Sequence, residues 1–148
     1  MKLVKELVPL IGEKNFDEAM ETMPYGAYLG LRLQQQDGKI RVVMPFKPDL
    51  IGSPSRLHGG TVGAMLEIAG AVQAIAAQKS LGATPERFAK PISITIDYLR
   101  GGEMKDTYAE AVVERMGRRV ANVTSRAWQD SPDRLIATAH MHFLLPDM

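Results

Sequence analysis

Apolar and polar positions repeat along this chain with two different periods. Leu3, Leu7, Leu10 and Ile11 recur at helical spacing, which predicts an amphipathic helix from residue 2 to about 20. Pro24 and Gly26 break that pattern. From Tyr28 to Gln36 the period changes to two, with Leu29, Leu31 and Leu33 on one face of a predicted strand. Asp37-Gly38 is the strongest short hairpin signal in the chain, and "KIRVVMPF" reads as the return strand. A loop rich in proline, glycine and serine follows, "KPDLIGSPSRL". Further on, Ile92, Ile94 and Ile96 alternate with Ser93, Thr95 and Asp97, and Gly101-Gly102 ends the run. Three more strands are expected in "TYAEAVVERM", "RRVANVTSRAWQ" and "RLIATAHMHFLL", set apart by Gly117 and "DSPD".

The segment "GGTVGAMLEIAGAVQAIAAQ" fits neither amphipathic pattern. It is apolar nearly all round, as a helix buried on most sides must be. Glycine inside a helix costs about 0.5–1 kcal/mol relative to alanine. Gly63 and Gly70 therefore imply close backbone approach, as if a sheet wraps tightly around this helix. The order is helix, two strands, long helix, four strands, which reads as α+β in one domain spanning residues 1–148.

Composition narrows the function classes. The chain has 148 residues, with 18 basic and 17 acidic side chains, so its net charge is +1 and gives no reason to expect nucleic-acid binding. Cysteine is absent, which excludes disulfides, a cysteine nucleophile and thiolate metal sites, and is compatible with the cytoplasm. The N-terminus is a poor signal peptide because charges interrupt its apolar run. Gly59 to Gln78 has the length of a bilayer span, but Glu67, Gln73, Gln78 and the many alanines argue for a buried soluble helix and no membrane.

Glu67 is the one formal charge between Gly59 and Gln78. An isolated carboxylate is expensive to bury, so it either meets water or an arginine, or it has a task. At the helix start the first N–H groups lack internal acceptors and sit at the positive end of the macrodipole. Gly59 and Gly60 would let a ligand oxygen reach them, as in an oxyanion hole or a phosphate cradle. His58 and Glu67 are nine residues apart, roughly 180° of helix rotation and ~13 Å of rise. One chain does not easily bring both to one substrate atom. Two copies related by a twofold axis do, which makes a homodimer part of the hypothesis.

The stretches "LHGGTVGAMLE", "ITIDYLRGG", "GRRVA" and "LIATAHMHF" resemble the hotdog-fold thioesterases, in particular the phenylacetic-acid-type (PaaI-like) branch. The resemblance covers residues 24 to 145 and leaves residues 1–22 as an N-terminal helical extension. It implies a six-stranded antiparallel sheet wrapped around one long helix. It further implies a homodimer, often a dimer of dimers, and hydrolysis of acyl-coenzyme A or acyl-carrier thioesters without metal or cofactor. Carried onto this chain, Gly59 supplies the N–H that polarises the thioester carbonyl. Glu67 of the facing subunit acts as general base or nucleophile. His58 orients the loop, and Gly60 lies beside the substrate.

Two positions depart from the family pattern. Gly52 stands where relatives commonly carry Asn or Gln, with Ser53 or Ser55 as substitutes in a shifted loop. Pro91 stands where Ser or Thr is common, with Ser93 close by. These departures favour, as the alternative, a non-catalytic acyl-CoA-binding module. A hotdog hydratase or dehydratase needs a histidine–acid pair in motifs absent here.

Among the basic residues of the C-terminal half, Arg100 and Arg118 flank turns expected near the pantetheine entrance and are candidates for the coenzyme phosphates. Met65 is expected beside Glu67 in the acyl pocket. Trp128, Phe143, Met44 and Phe46 are expected in the core. His140 and His142 share a strand face without a third ligand, so no metal site is expected. The N-terminal helix either caps the acyl tunnel or helps build a tetramer.

Overall fold

A computed structural model describes residues 5–146 of the chain. Its N-terminal part corrects the predicted long helix. Only Lys5 and Glu6 are helical among the described residues there, and turns follow. Pro9 lacks an N–H, and Gly12 takes a positive φ of 97°, so the helix cannot continue. Asp17–Ala19 instead forms a short strand, β1, pairing antiparallel with Arg32–Gln36, β2. Leu7, Val8 and Ile11 are buried in the core all the same. The described residues of this segment are held by polar side chains: Lys79 Nζ donates to the carbonyls of Val8, Pro9 and Ile11 at 3.1, 3.1 and 2.5 Å. Gln35 Oε1 accepts from the Gly12 N–H at 3.0 Å.

A single-turn-and-a-half helix, α1, covers Pro24–Leu29. Proline opens it, where its missing N–H is harmless, and Gly30 closes it at φ 71°. Leu29 therefore belongs to a helix, although it shares full burial with Leu31 and Leu33. The Asp37-Gly38 turn has positive φ at both residues, 53° and 76°, as a type I′ hairpin needs, and it joins β2 to β3 (Lys39–Met44). A short 3-10 turn at Pro48–Leu50 and a two-stranded ribbon, β4 (Ile51–Ser53) and β5 (Arg56–Leu57), lead to the long helix α2, Gly59–Ser80. The remaining strands are β6 (Lys90–Tyr98), β7 (Thr107–Met116), β8 (Val120–Trp128) and β9 (Leu135–Leu144).

The main sheet has seven strands in the order β1-β2-β3-β7-β8-β9-β6, every neighbouring pair antiparallel. One more strand than expected is present, because β1 extends the edge. The sheet curves round α2, with β3, β6, β7, β8 and β9 all in contact with it. A Cβ at Gly70 would lie 2.5 Å from Met141 Cε and 3.0 Å from the Phe143 ring, and one at Gly63 would lie 2.9 Å from Ile96 Cδ1. Those contacts explain both helix glycines. In the buried layer between sheet and helix, Ser125 Oγ donates to the Leu66 carbonyl at 2.8 Å. The bilayer-length helix is thus the one the sheet encloses.

Phe143 and Met44 are in the core, and Phe46 packs against it. Trp128 is buried on the other face of the sheet: it stacks with Tyr108 under the Arg41 guanidinium, 5.2 Å from the ring centre. At the far edge of the sheet β6 has no outer neighbour among the described residues, and eight of its nine residues are exposed.

Candidate active site

The helix start is built by its own cap. His58 holds an extended conformation, φ −64° and ψ 131°, and its Nδ1 accepts the Gly60 N–H at 2.8 Å. With Nδ1 accepting, the neutral ring carries its proton on Nε2, which points a donor outward. The His58 N–H donates to the Leu50 carbonyl at 2.8 Å, and Thr61 Oγ1 donates to the His58 carbonyl at 2.6 Å. A Cβ at Gly52 would lie 2.6 Å from His58 Cα. Glycine at 52 is what lets β4 pass so close to the cap.

These bonds separate the two glycine amides. The Gly60 N–H is taken by the imidazole. The Gly59 N–H has no acceptor among the described residues. Tyr98 covers this turn from β6: its hydroxyl donates to the Gly59 carbonyl at 2.9 Å, and its ring would lie 3.3 Å from a Cβ at 59. Gly59 and Tyr98 line a hollow of about 280 Å³ that also includes Val62, Leu99 and Arg100.

Glu67 lies in a different hollow, of about 320 Å³, among Met23, Tyr25, Ala64, Ile68, Phe88 and Pro91. It is half-buried. Its carboxylate has no hydrogen bond or ion pair among the described residues. Burial beside apolar walls pushes its carboxyl above the ordinary glutamate range. A carboxylate with no partner and a raised pKa has the properties of a base.

The predicted site residues are only partly gathered. Gly59 and Glu67 stand on one helix but line separate hollows. Pro91 does stand beside Glu67, and a bulge between Pro91 and Ser93 turns the next residues away. Ser93 faces the outer side of the sheet, with Oγ 2.6 Å from His142 Nδ1, so it does not approach Glu67. Met65 is fully buried in the core and does not line the Glu67 hollow; Met23 takes that place. Ser53 and Ser55 are exposed in the β4–β5 turn, Ser55 at φ 64°. His140 and His142 are exposed on the outer face. Arg100 and Arg118 lie at opposite ends of the β8–β9 pair: Arg100 bonds Ile136, whereas Arg118 precedes Val120, which pairs with Leu144. In one protomer they do not serve the same phosphate.

Tyr98 was missed as a site residue. The period of two that groups Ile94 and Ile96 continues to it, so the signal was present. Phe88 and Tyr25 carried no such signal, because only the folded chain brings them to Glu67.

A long helix enclosed by one curved antiparallel sheet, with a capped and partly free helix start, defines the hotdog class. Residues 51–144 match the family model of the acyl-CoA thioesterase N-terminal domain, and the chain belongs to that family. A solved protein from Chromobacterium violaceum is 28% identical, with TM-score 0.70 over 100% of this chain and 99% of that one. A phenylacetic acid degradation-related protein from Ralstonia eutropha is 22% identical, with TM-score 0.68 over 83% of this chain and 90% of that one. A Bacillus halodurans protein solved with CoA is 16% identical, with TM-score 0.67 over 82% of this chain and 75% of that one. No curated protein matches the sequence.

Proposed function

We propose that the protein hydrolyses acyl-CoA thioesters at sites shared between two copies of the chain. The unpaired carboxylate of Glu67 in its apolar hollow is the observation that carries this reading. Glu67 takes a proton from water, and the water oxygen bonds to the thioester carbonyl carbon. The free Gly59 N–H receives the oxyanion. Collapse breaks the C–S bond, and the thiol leaves with a proton. Attack by the carboxylate itself, through an anhydride, is the variant of the same scheme.

The unpaired edge of β6 supports the dimer. Pro91, near its start, stands beside Glu67, and Tyr98, at its end, stands on Gly59. Antiparallel pairing of two β6 edges about a twofold axis brings the Pro91 end of one copy toward the Tyr98 end of the other. Glu67 of one protomer then meets Gly59 of its partner, and the site is incomplete without the second copy.

Thiol release from a panel of acyl-CoA esters tests the reading, with wild type beside Glu67→Gln. Equal rates for the two proteins would remove Glu67 from the mechanism. A second reading, a non-catalytic acyl-CoA binder, is favoured by Pro91, which offers no donor to a water beside Glu67. It predicts micromolar binding without turnover of any ester.

A further inference from the structure

A hollow of about 710 Å³ lies at the C-terminal end of α2, away from the helix start, and is larger than the one of about 320 Å³ beside Glu67. Its volume is that of a small-molecule site. Val8 and Pro9 of the N-terminal segment, with Thr84 and Pro85 of the loop after α2, give it apolar walls. Val8 and Pro85 are buried and form its floor. No residue that lines it also lines the Glu67 hollow. The family match begins at residue 51, so the wall made by Val8 and Pro9 lies outside it.

Four charged side chains complete the hollow: Lys5, Lys79, Glu86 and Arg87. Lys79 is already committed. Its ammonium has three donors, and they meet the carbonyls of Val8, Pro9 and Ile11 at 3.1, 3.1 and 2.5 Å. It also stands in the last turn of α2, where the negative end of the helix dipole answers part of its charge. Those bonds fix the N-terminal wall to the helix. Lys5, Glu86 and Arg87 are exposed, and none of them forms an ion pair among the described residues. Lys5 and Arg87 against Glu86 leave one positive charge at the rim of an apolar floor.

We propose that this hollow is a second ligand site, separate from the Glu67 hollow, that binds an aliphatic carboxylate. The tail lies against Val8, Pro9 and Pro85, and the carboxylate meets Arg87 and Lys5 at the rim. A guanidinium offers paired N–H donors that match the two oxygens of a carboxylate. The alkyl stems of Lys5 and Arg87 extend the apolar wall while their charged heads stay in water. One net positive charge suits a monoanion. A dianion would keep an unanswered charge beside the apolar floor, and a cation would be repelled by the same rim. Thr84 to Arg87 run directly into Phe88 and Ala89, which line the Glu67 hollow, so one loop walls both sites. Such an acid is also what thioester hydrolysis releases. That origin for the ligand rests on the thioesterase reading; the binding site does not.

The experiment titrates decanoate, decanol and decyltrimethylammonium calorimetrically into the full chain, as wild type, Arg87→Gln and Thr84→Trp. Both positions are exposed, so both variants should keep the wild-type circular dichroism spectrum. Decanoate should bind wild type with a Kd of roughly tens of micromolar, decanol more weakly, and decyltrimethylammonium not at all. Arg87→Gln should weaken decanoate by roughly 10-fold, as for one charge-assisted contact, and leave decanol unchanged. Thr84→Trp fills the hollow and should abolish both. No decanoate binding to wild type, unchanged decanoate binding in either variant, or equal binding of the cationic amphiphile overturns the site. Unchanged binding in Thr84→Trp would place the ligand in another hollow. If wild type releases thiol from no acyl-CoA ester, the thioesterase reading fails, and these titrations still decide the site.

Discussion

A Cβ added to Gly52 would lie 2.6 Å from His58 Cα and 2.8 Å from its Cβ. Position 52 is therefore closed to any side chain unless β4 moves. Gly52→Asn should destabilise the protein by about 1–3 kcal/mol, as for an overpacked site. At about 2–4 °C per kcal/mol, thermal denaturation should register a clear drop in Tm. A rise in Tm would show that the loop yields freely.

His58 caps the helix through Nδ1. His58→Ala should cost about 1 kcal/mol, the usual loss of a cap, whereas His58→Asn should keep most of it because its side-chain oxygen accepts the same N–H. Urea melts of the three proteins measure this. Comparing kcat between His58→Asn and wild type isolates any contribution of the outward Nε2–H.

The raised Glu67 carboxyl has consequences for both rate and stability. As a base it must be ionised, so kcat/KM should fall as pH drops through a value above the ordinary glutamate range. Stability runs the opposite way. A carboxyl whose folded pKa is raised favours the fold when protonated, and that contribution is lost as pH rises through the folded value. Glu67→Gln should therefore melt above wild type near about pH 7.5, with the difference closing toward about pH 4. Turnover by the same variant should fall roughly 10²- to 10⁴-fold.

Ile94 is partly exposed on the unpaired β6 edge. Ile94→Lys places a charge where two edges would join, a recognised way to block strand pairing. Sedimentation velocity should show a monomer with an unchanged circular dichroism spectrum and no turnover. A monomeric variant with full activity would refute a site shared between copies.

Lys79 reaches three backbone carbonyls of the N-terminal segment. Lys79→Met keeps the stem and removes the donors. Hydrogen exchange and limited proteolysis should then speed up over residues 5–16, while exchange in β7 and β8 stays slow.

The strands after residue 90 and the Asp37-Gly38 hairpin were readable because each depends on local alternation and turn chemistry. The long helix was readable because its glycines and alanines make sense only under a tightly wrapped sheet, and Gly63 and Gly70 meet Ile96, Met141 and Phe143 there. The N-terminal segment misled because Leu3, Leu7, Leu10 and Ile11 satisfy helical spacing, and three of its residues form a strand only because β2 offers a free edge. Met65 misled for a related reason. It neighbours Glu67 in sequence, but on a helix two residues apart means nearly opposite faces.

By itself the sequence determined that a single carboxylate would stand in an apolar helix near a glycine-rich start, since that follows from composition and the 3.6-residue period. It also determined that Glu67 and the helix start would point apart. Tertiary structure alone decided which amide stays free, because His58 Nδ1 reaches Gly60 and not Gly59. It alone decided that Lys105 would bridge Glu103 and Asp130, 27 residues apart in the chain. The periodicity of a chain reports which face of its own element a residue occupies. Hydrogen bonds and ion pairs form between elements, across distances along the chain that no local pattern encodes.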